Sequence, residues 1–155
     1  MKDKIELFKG IFKKNIEING NILILNNSSS FENQEQTKEA FSEKWNTWFI
    51  KSEDRDKKNL YEYQKRWYFE LYGFRDEKEF RRFLNSKKII FDAGCGLGFK
   101  SKWFADLSPN SLVIGMDISD SVLIAAKEYF DTKNLFFIKG DISDTFIKDN
   151  VIDYI

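Results

Sequence analysis

The chain has 155 residues, 42% hydrophobic and 32% charged, which is the balance of a globular protein with room for one domain and a small appendage. Lys+Arg and Asp+Glu both number 25, so no charge excess points to nucleic acid or an anionic membrane. With no histidine and one cysteine, Cys95, the chain excludes a histidine triad, a His/Cys zinc cluster and an intrachain disulfide.

The opening residues include Lys2, Asp3, Lys4 and Glu6, which do not suit a signal peptide, and no apolar run is long enough to span a bilayer. A soluble, cytoplasmic protein is expected. Ile16 and Ile18 alternate with polar residues, Asn19-Gly20 supplies a turn, and Ile22 and Ile24 resume the alternation. This pattern predicts a β-hairpin. Asn26, Asn27, Ser28, Ser29 and Ser30 then read as a linker.

From Phe31 to about Asn85 the pattern is helical and rich in aromatics. Leu60, Tyr63, Trp67 and Leu71 share one helical face, and Phe80, Phe83 and Leu84 another. Phe41, Trp45, Trp48 and Phe49 cluster ahead of them, and the polar run Lys51 to Lys58 reads as a solvated turn or helix start.

After Lys88 the period changes. Ile89-Ile90-Phe91 is a continuously apolar strand, followed by a glycine loop and a helix from about Phe99 to Leu107, with Pro109 just beyond it. Leu112-Val113-Ile114 opens a second strand, Val122, Ala125, Ala126 and Tyr129 mark a helix face, and Leu135 to Ile138 is a third strand. Strands apolar on both faces, alternating with helices, indicate a parallel sheet covered by helices. Val151 to Ile155 reads as the opening of a fourth strand, so the chain is expected to stop inside it.

The loop Asp92-Ala93-Gly94-Cys95-Gly96-Leu97-Gly98 lies between a strand and a helix. Alternate glycines let a ligand approach the main chain. The dinucleotide fingerprint wants a third glycine at the sixth position from Gly94, where Phe99 stands, and the Gly-Lys-Ser/Thr of a phosphate loop is absent. Asp92 suits an anchor for the loop near a cationic amino-acid group. Asp117 closes the second strand at a spacing typical of ribose-binding acids, and Asp141 follows the third. Each alone is an ordinary turn residue; three in register at the carboxyl ends of parallel strands mark a ligand edge. Cys95 fills a position that needs a small residue, so packing rather than nucleophilic catalysis is expected of it.

Ile89 to Gly98 resembles the first motif of class I S-adenosylmethionine-dependent methyltransferases, Val113 to Asp117 their second, and Gly140-Asp141-Ile142 their third. The resemblance covers about Lys88 to Ile155. It implies a Rossmann-like sheet in the order 3-2-1-4, helices on both faces, and S-adenosyl-L-methionine as cofactor. Asp92, Ala93, Gly94, Gly96 and Gly98 would then surround its methionine part. Asp117 would hold the ribose hydroxyls, and Ile118, Asp141 and Ile142 would form the adenine pocket, with Ser119 beside them. Phe41-Ser42-Glu43-Lys44-Trp45-Asn46 resembles the aromatic motif of the small-molecule, type 11 branch. Residues 1–25 stand where some members carry a metal-binding mini-domain but lack its cysteines, so no metal site is carried over.

The expected organisation is therefore a hairpin and linker over 1–30, a helical segment and possible lid over 31–87, and the N-terminal half of a methyltransferase domain over 88–155. The implied activity is methyl transfer to a small-molecule acceptor, with no catalytic base assigned. Such a half domain is expected to be marginally stable, prone to associate and inactive alone. The rival readings are a non-catalytic cofactor-binding or interaction module and an NAD-dependent oxidoreductase.

Overall fold

A computed structural model describes residues 2–25 and 54–155, with three isolated helical positions, Glu39, Glu43 and Thr47, between them. The polar linker and the aromatic motif around Trp45 lie outside the described residues.

The elements run α1 (Lys2–Gly10), β1 (Ile22–Ile24), α2 (Asp54–Tyr72), α3 (Glu77–Asn85), β2 (Ile89–Ala93), α4 (Phe99–Leu107), β3 (Leu112–Asp117), α5 (Ser121–Glu128) and β4 (Leu135–Lys139). The four strands form one parallel sheet in the order β1-β4-β3-β2. Beyond β2, Tyr154 makes a parallel bridge to Ile90, and Phe91 N–H donates to the Tyr154 carbonyl at 2.8 Å. The 3-2-1 part of the expected order is thus present as strands, with the single Tyr154 bridge at the place of the fourth and β1 added outside the third core strand. The Asp153 carboxylate fixes this edge by accepting the N–H groups of Lys88 and Ile89 at 2.9 and 2.8 Å.

The β-hairpin expected over Ile16–Ile24 is reduced to its turn. Asn19 and Ile22 exchange backbone hydrogen bonds of 2.9 and 3.1 Å around Gly20, but no strand forms over Ile16 and Ile18. Ile22–Ile24 instead pairs with Phe137–Lys139. The free edge of β4 offers these three residues a ladder and buries Leu23, which a two-stranded hairpin in water would not do.

Two apolar layers sandwich the sheet. On one face, α1 and the segments around Ile16, Ile18 and Phe146 cover Phe91, Ile114 and Phe136. Phe8 is fully buried and stacks on Phe136 at 4.7 Å between ring centroids. On the other face, α2 to α5 cover Ile90, Val113, Leu135 and Phe137. Phe80 sits inside a ring cluster with Tyr68, Phe74, Trp103 and Phe104. Burial of such side chains contributes roughly 1.5–3 kcal/mol each relative to exposure.

Helix α2 does not bury the face shared by Tyr63, Trp67 and Leu71. Tyr63, Trp67 and Leu71 are about half exposed, whereas Tyr68 is buried and Phe69 packs with it against Trp103. Both stripes have helical spacing, and the Tyr68 stripe is the one that meets the rings of α3 and α4. Tyr68 and Tyr154 also join hydroxyl to hydroxyl, tying α2 to the far sheet edge.

Candidate functional site

The carboxyl ends of β2, β3 and β4 converge on one side of the sheet, where parallel α/β sheets bind ligands. Two adjoining hollows lie there. One, of about 350 Å³, is lined by Ala93, Gly94, Met116, Asp117, Ile118, Gly140, Asp141 and Ile142. The other, of about 410 Å³, is lined by Gly94 to Leu97, Phe99, Lys100, Asp117 to Ser119, and Gln64 of α2. Gly94, Asp117 and Ile118 belong to both, so they form a continuous cleft.

Strand β3 shapes the glycine loop. The Met116 carbonyl accepts the N–H groups of Gly94 and Cys95 at 2.8 and 2.9 Å, and the Asp117 carboxylate accepts that of Gly96 at 2.8 Å. Gly98 N–H donates to the Cys95 carbonyl at 2.8 Å. These four amides are therefore turned toward protein acceptors and away from the cleft.

Two of the glycines do different work. Both Gly94 and Gly98 hold positive φ, +71° and +74°. A Cβ on Gly94 would meet nothing within 4 Å, so this position opens onto the cleft. A Cβ on Gly98 would lie 2.9 Å from the Phe137 ring and 3.0 Å from the Ala125 Cβ. Gly98 is buried and lines neither hollow; its smallness lets α4 and α5 close on β4.

Asp117 is the hub. Its Oδ1 accepts both the N–H and the hydroxyl of Ser119 at 2.8 and 2.7 Å, while Oδ2 holds Gly96. A carboxylate offers about four lone-pair positions, so one on Oδ2 remains for a ligand. The Ser119 hydroxyl also contacts that of Ser121, which gives it a second partner. Asp141 makes a similar turn, its Oδ1 accepting the Ser143 N–H and hydroxyl, each at 2.8 Å. Ile142, next to it, is about half exposed at the cleft rim.

Asp92 stands behind the loop, 5% exposed, and lines neither hollow. Its Oδ2 accepts the Ser101 hydroxyl at 2.6 Å and its Oδ1 lies 3.5 Å from the Lys100 ammonium. Cys95 is buried, and desolvation, with the Asp92 and Asp117 charges adding to it, pushes its thiol well above the ordinary value. A protonated, buried thiol is no nucleophile, which agrees with a packing role.

The structure thus brings Ala93, Gly94, Gly96, Asp117, Ile118, Asp141 and Ile142 to one cleft and sets Asp92 and Gly98 behind it. Lys100, Ser101, Ser119 and Gln64 belong to the same constellation. Ser119 carried a signal in its adjacency to Asp117, whereas Gln64 and the Ser101–Asp92 bond depend on tertiary packing. Among the described residues, no group of three or more His, Cys, Asp or Glu could hold a metal, and no helix is long and apolar enough to cross a membrane.

Residues 90–155 match a family described as a methyltransferase domain. The chain is 44% identical over 39 residues to the uncharacterized phycocyanin operon protein W of Pseudanabaena tenuis, covering 25% of this chain and 37% of that protein. It is also similar to the crystal structure of the MccD protein, with 27% identity and a TM-score of 0.37, over 43% of this chain and 30% of that one. The chain therefore spans little more than a third of the curated relative's length. Residues 90–155, which carry strands β2 to β4 and the strand-end glycine loop, are thus similar to a methyltransferase domain, and the parallel sheet is of the Rossmann-like α/β kind.

Proposed function

We propose that this cleft binds S-adenosyl-L-methionine and serves methyl transfer to a small-molecule acceptor. The observation that carries the reading is the direction of the loop amides. A dinucleotide loop presents N–H groups to a pyrophosphate. Here Gly94, Cys95, Gly96 and Gly98 commit theirs to protein acceptors. Such a loop suits a cofactor whose nearby group is a cationic amine better than one with a phosphate. This also disfavours the oxidoreductase alternative.

In this reading Gly94 gives the methionine part access to the main chain. The free position on Asp117 Oδ2 accepts one ribose hydroxyl, and Oδ1 accepts the other when the Ser119 hydroxyl turns to Ser121. Asp141 and Ile142, with Ile118, bracket the adenine, the exposed apolar face of Ile142 being suited to a flat ring. Gln64 places α2 at the cleft mouth, consistent with the helical segment acting as a cover. The cofactor supplies a methyl already activated as a sulfonium. The protein's part is to align that methyl with the acceptor and to exclude water.

Saturable binding of methyl-labelled S-adenosylmethionine by the purified protein tests the cofactor, and incubation of a complete domain carrying these residues with the labelled cofactor and a pool of small metabolites tests the activity. Label recovered in a small-molecule fraction supports it. Label transferred to polypeptide or nucleic acid alone would contradict the acceptor class.

A further inference from the structure

The amino-acid end of such a cofactor carries two opposite charges, an ammonium and a carboxylate. The amides of the first three loop positions from Gly94 do not serve the second. With the amides of Gly94, Cys95 and Gly96 bonded to Met116 and Asp117, they offer the carboxylate no donor. A carboxylate leaving water without a partner is strongly disfavoured.

Lys100 offers the carboxylate a charged partner. Among the described residues, it is the one cation on the wall of the cleft. Its ammonium lies 3.5 Å from Asp92 Oδ1, and its side chain is partly exposed where that of Asp92 is almost wholly buried. Ser101 holds the other Asp92 oxygen, so Oδ1 is the atom left to an ionic partner. The nearby lysines on this side are engaged elsewhere, Lys102 with Asp106 and Lys65 with Glu62. The site therefore stands as a matched pair of opposite charges, one fixed in the core and one on a flexible stem.

Resting on the methyltransferase reading above, we infer that Asp92 and Lys100 recognise the zwitterionic end of the cofactor by exchanging partners. The ligand ammonium takes the place of Lys100 beside Asp92, and the released Lys100 ammonium pairs with the ligand carboxylate. Charge is conserved throughout, since a neutral pair receives a neutral zwitterion and two ion pairs result. Lys100 is thus a specificity residue: it makes the site favour ligands carrying both charges over those with only one or neither.

Calorimetric titration of the parent protein and of Lys100→Met, a change at a partly exposed position, separates the possibilities. The probes are S-adenosylhomocysteine, its decarboxylated analogue and 5′-methylthioadenosine, which carry two, one and no charges at this end. Lys100→Met should weaken S-adenosylhomocysteine about tenfold or more, the worth of a charge-assisted hydrogen bond. It should leave methylthioadenosine within about twofold and not weaken the decarboxylated analogue, because Lys100 no longer competes for Asp92. Lys100→Arg should recover most of the lost affinity, as a charge at that position is retained. Unchanged affinity for S-adenosylhomocysteine in Lys100→Met, or an equal loss for methylthioadenosine, would overturn the exchange and leave the methyltransferase reading standing. Failure of the parent protein to bind any of the three would overturn both.

Discussion

Asp117 and Gly96 lie far apart in the sequence, yet the Asp117 carboxylate accepts the Gly96 N–H at 2.8 Å and so joins the end of β3 to the glycine loop after β2. The same side chain faces the cleft. Its removal should therefore act twice, on the ligand and on the loop. Charge-assisted hydrogen bonds contribute about 1.5–3 kcal/mol. Asp117→Ala should weaken S-adenosylhomocysteine at least about tenfold, by the same reckoning. Without ligand, it should also speed hydrogen exchange at the Gly96 amide. Unchanged affinity would reduce Asp117 to a turn residue.

Gly94 and Gly98 should part company on alanine substitution. Each requires positive φ, which costs an alanine about 1–2 kcal/mol. At Gly98 the added methyl also strikes Phe137 and Ala125, so overpacking of roughly 1–3 kcal/mol adds to that cost. Chemical denaturation should show Gly98→Ala as clearly the less stable variant. Ligand titration should show the reverse order, with Gly94→Ala suffering the larger loss of affinity. Equal stability of the two variants would mean that the Gly98 contact relaxes freely.

The same pair of glycines shows what the sequence makes legible. The three parallel strands, the glycine loop and the acids at their carboxyl ends are encoded locally, in apolar runs and fixed spacings, and the structure has them where the pattern puts them. Whether a glycine serves a ligand or a packing contact depends on what lies opposite it. Phe137 is 39 positions from Gly98, so spacing alone could not separate Gly94 from Gly98. The N-terminal region failed for a related reason. Ile22 and Ile24 alternate as any strand does, and the choice between a hairpin and the edge of β4 is tertiary. Helix α1 did carry a signal, in Ile5 and Phe8 at helical spacing. Helix α2 has two apolar stripes, and only its neighbours decide which is buried.

Stability should fall as the solution becomes alkaline. Burial raises Cys95 above its ordinary value of 9.0 and Tyr68 and Tyr129 above theirs of 10.0, the hydroxyl contacts of Tyr68 with Tyr154 and of Tyr129 with Tyr61 reinforcing the shift. The folded protein keeps these protons where the unfolded chain releases them. Their contribution is whole below about pH 9 and is lost as pH rises past the unfolded values. Denaturation midpoints should thus hold steady toward pH 9 and drop beyond it. Tyr129→Phe should make that drop shallower. In the native protein at pH 8, Cys95 should resist alkylation that proceeds readily after unfolding. Rapid native modification would place the thiol at the surface.

The central claim is that the strand-end cleft is built for a sulfonium cofactor with a cationic amine and not for a dinucleotide. Direct calorimetric titration of the protein with S-adenosylmethionine, S-adenosylhomocysteine and NAD addresses it in one experiment. The orientation of the loop amides predicts saturable one-to-one binding of both adenosyl ligands, with NAD at least about tenfold weaker or silent, a difference of about 1.4 kcal/mol or more. NAD binding tighter than either adenosyl ligand would contradict the account.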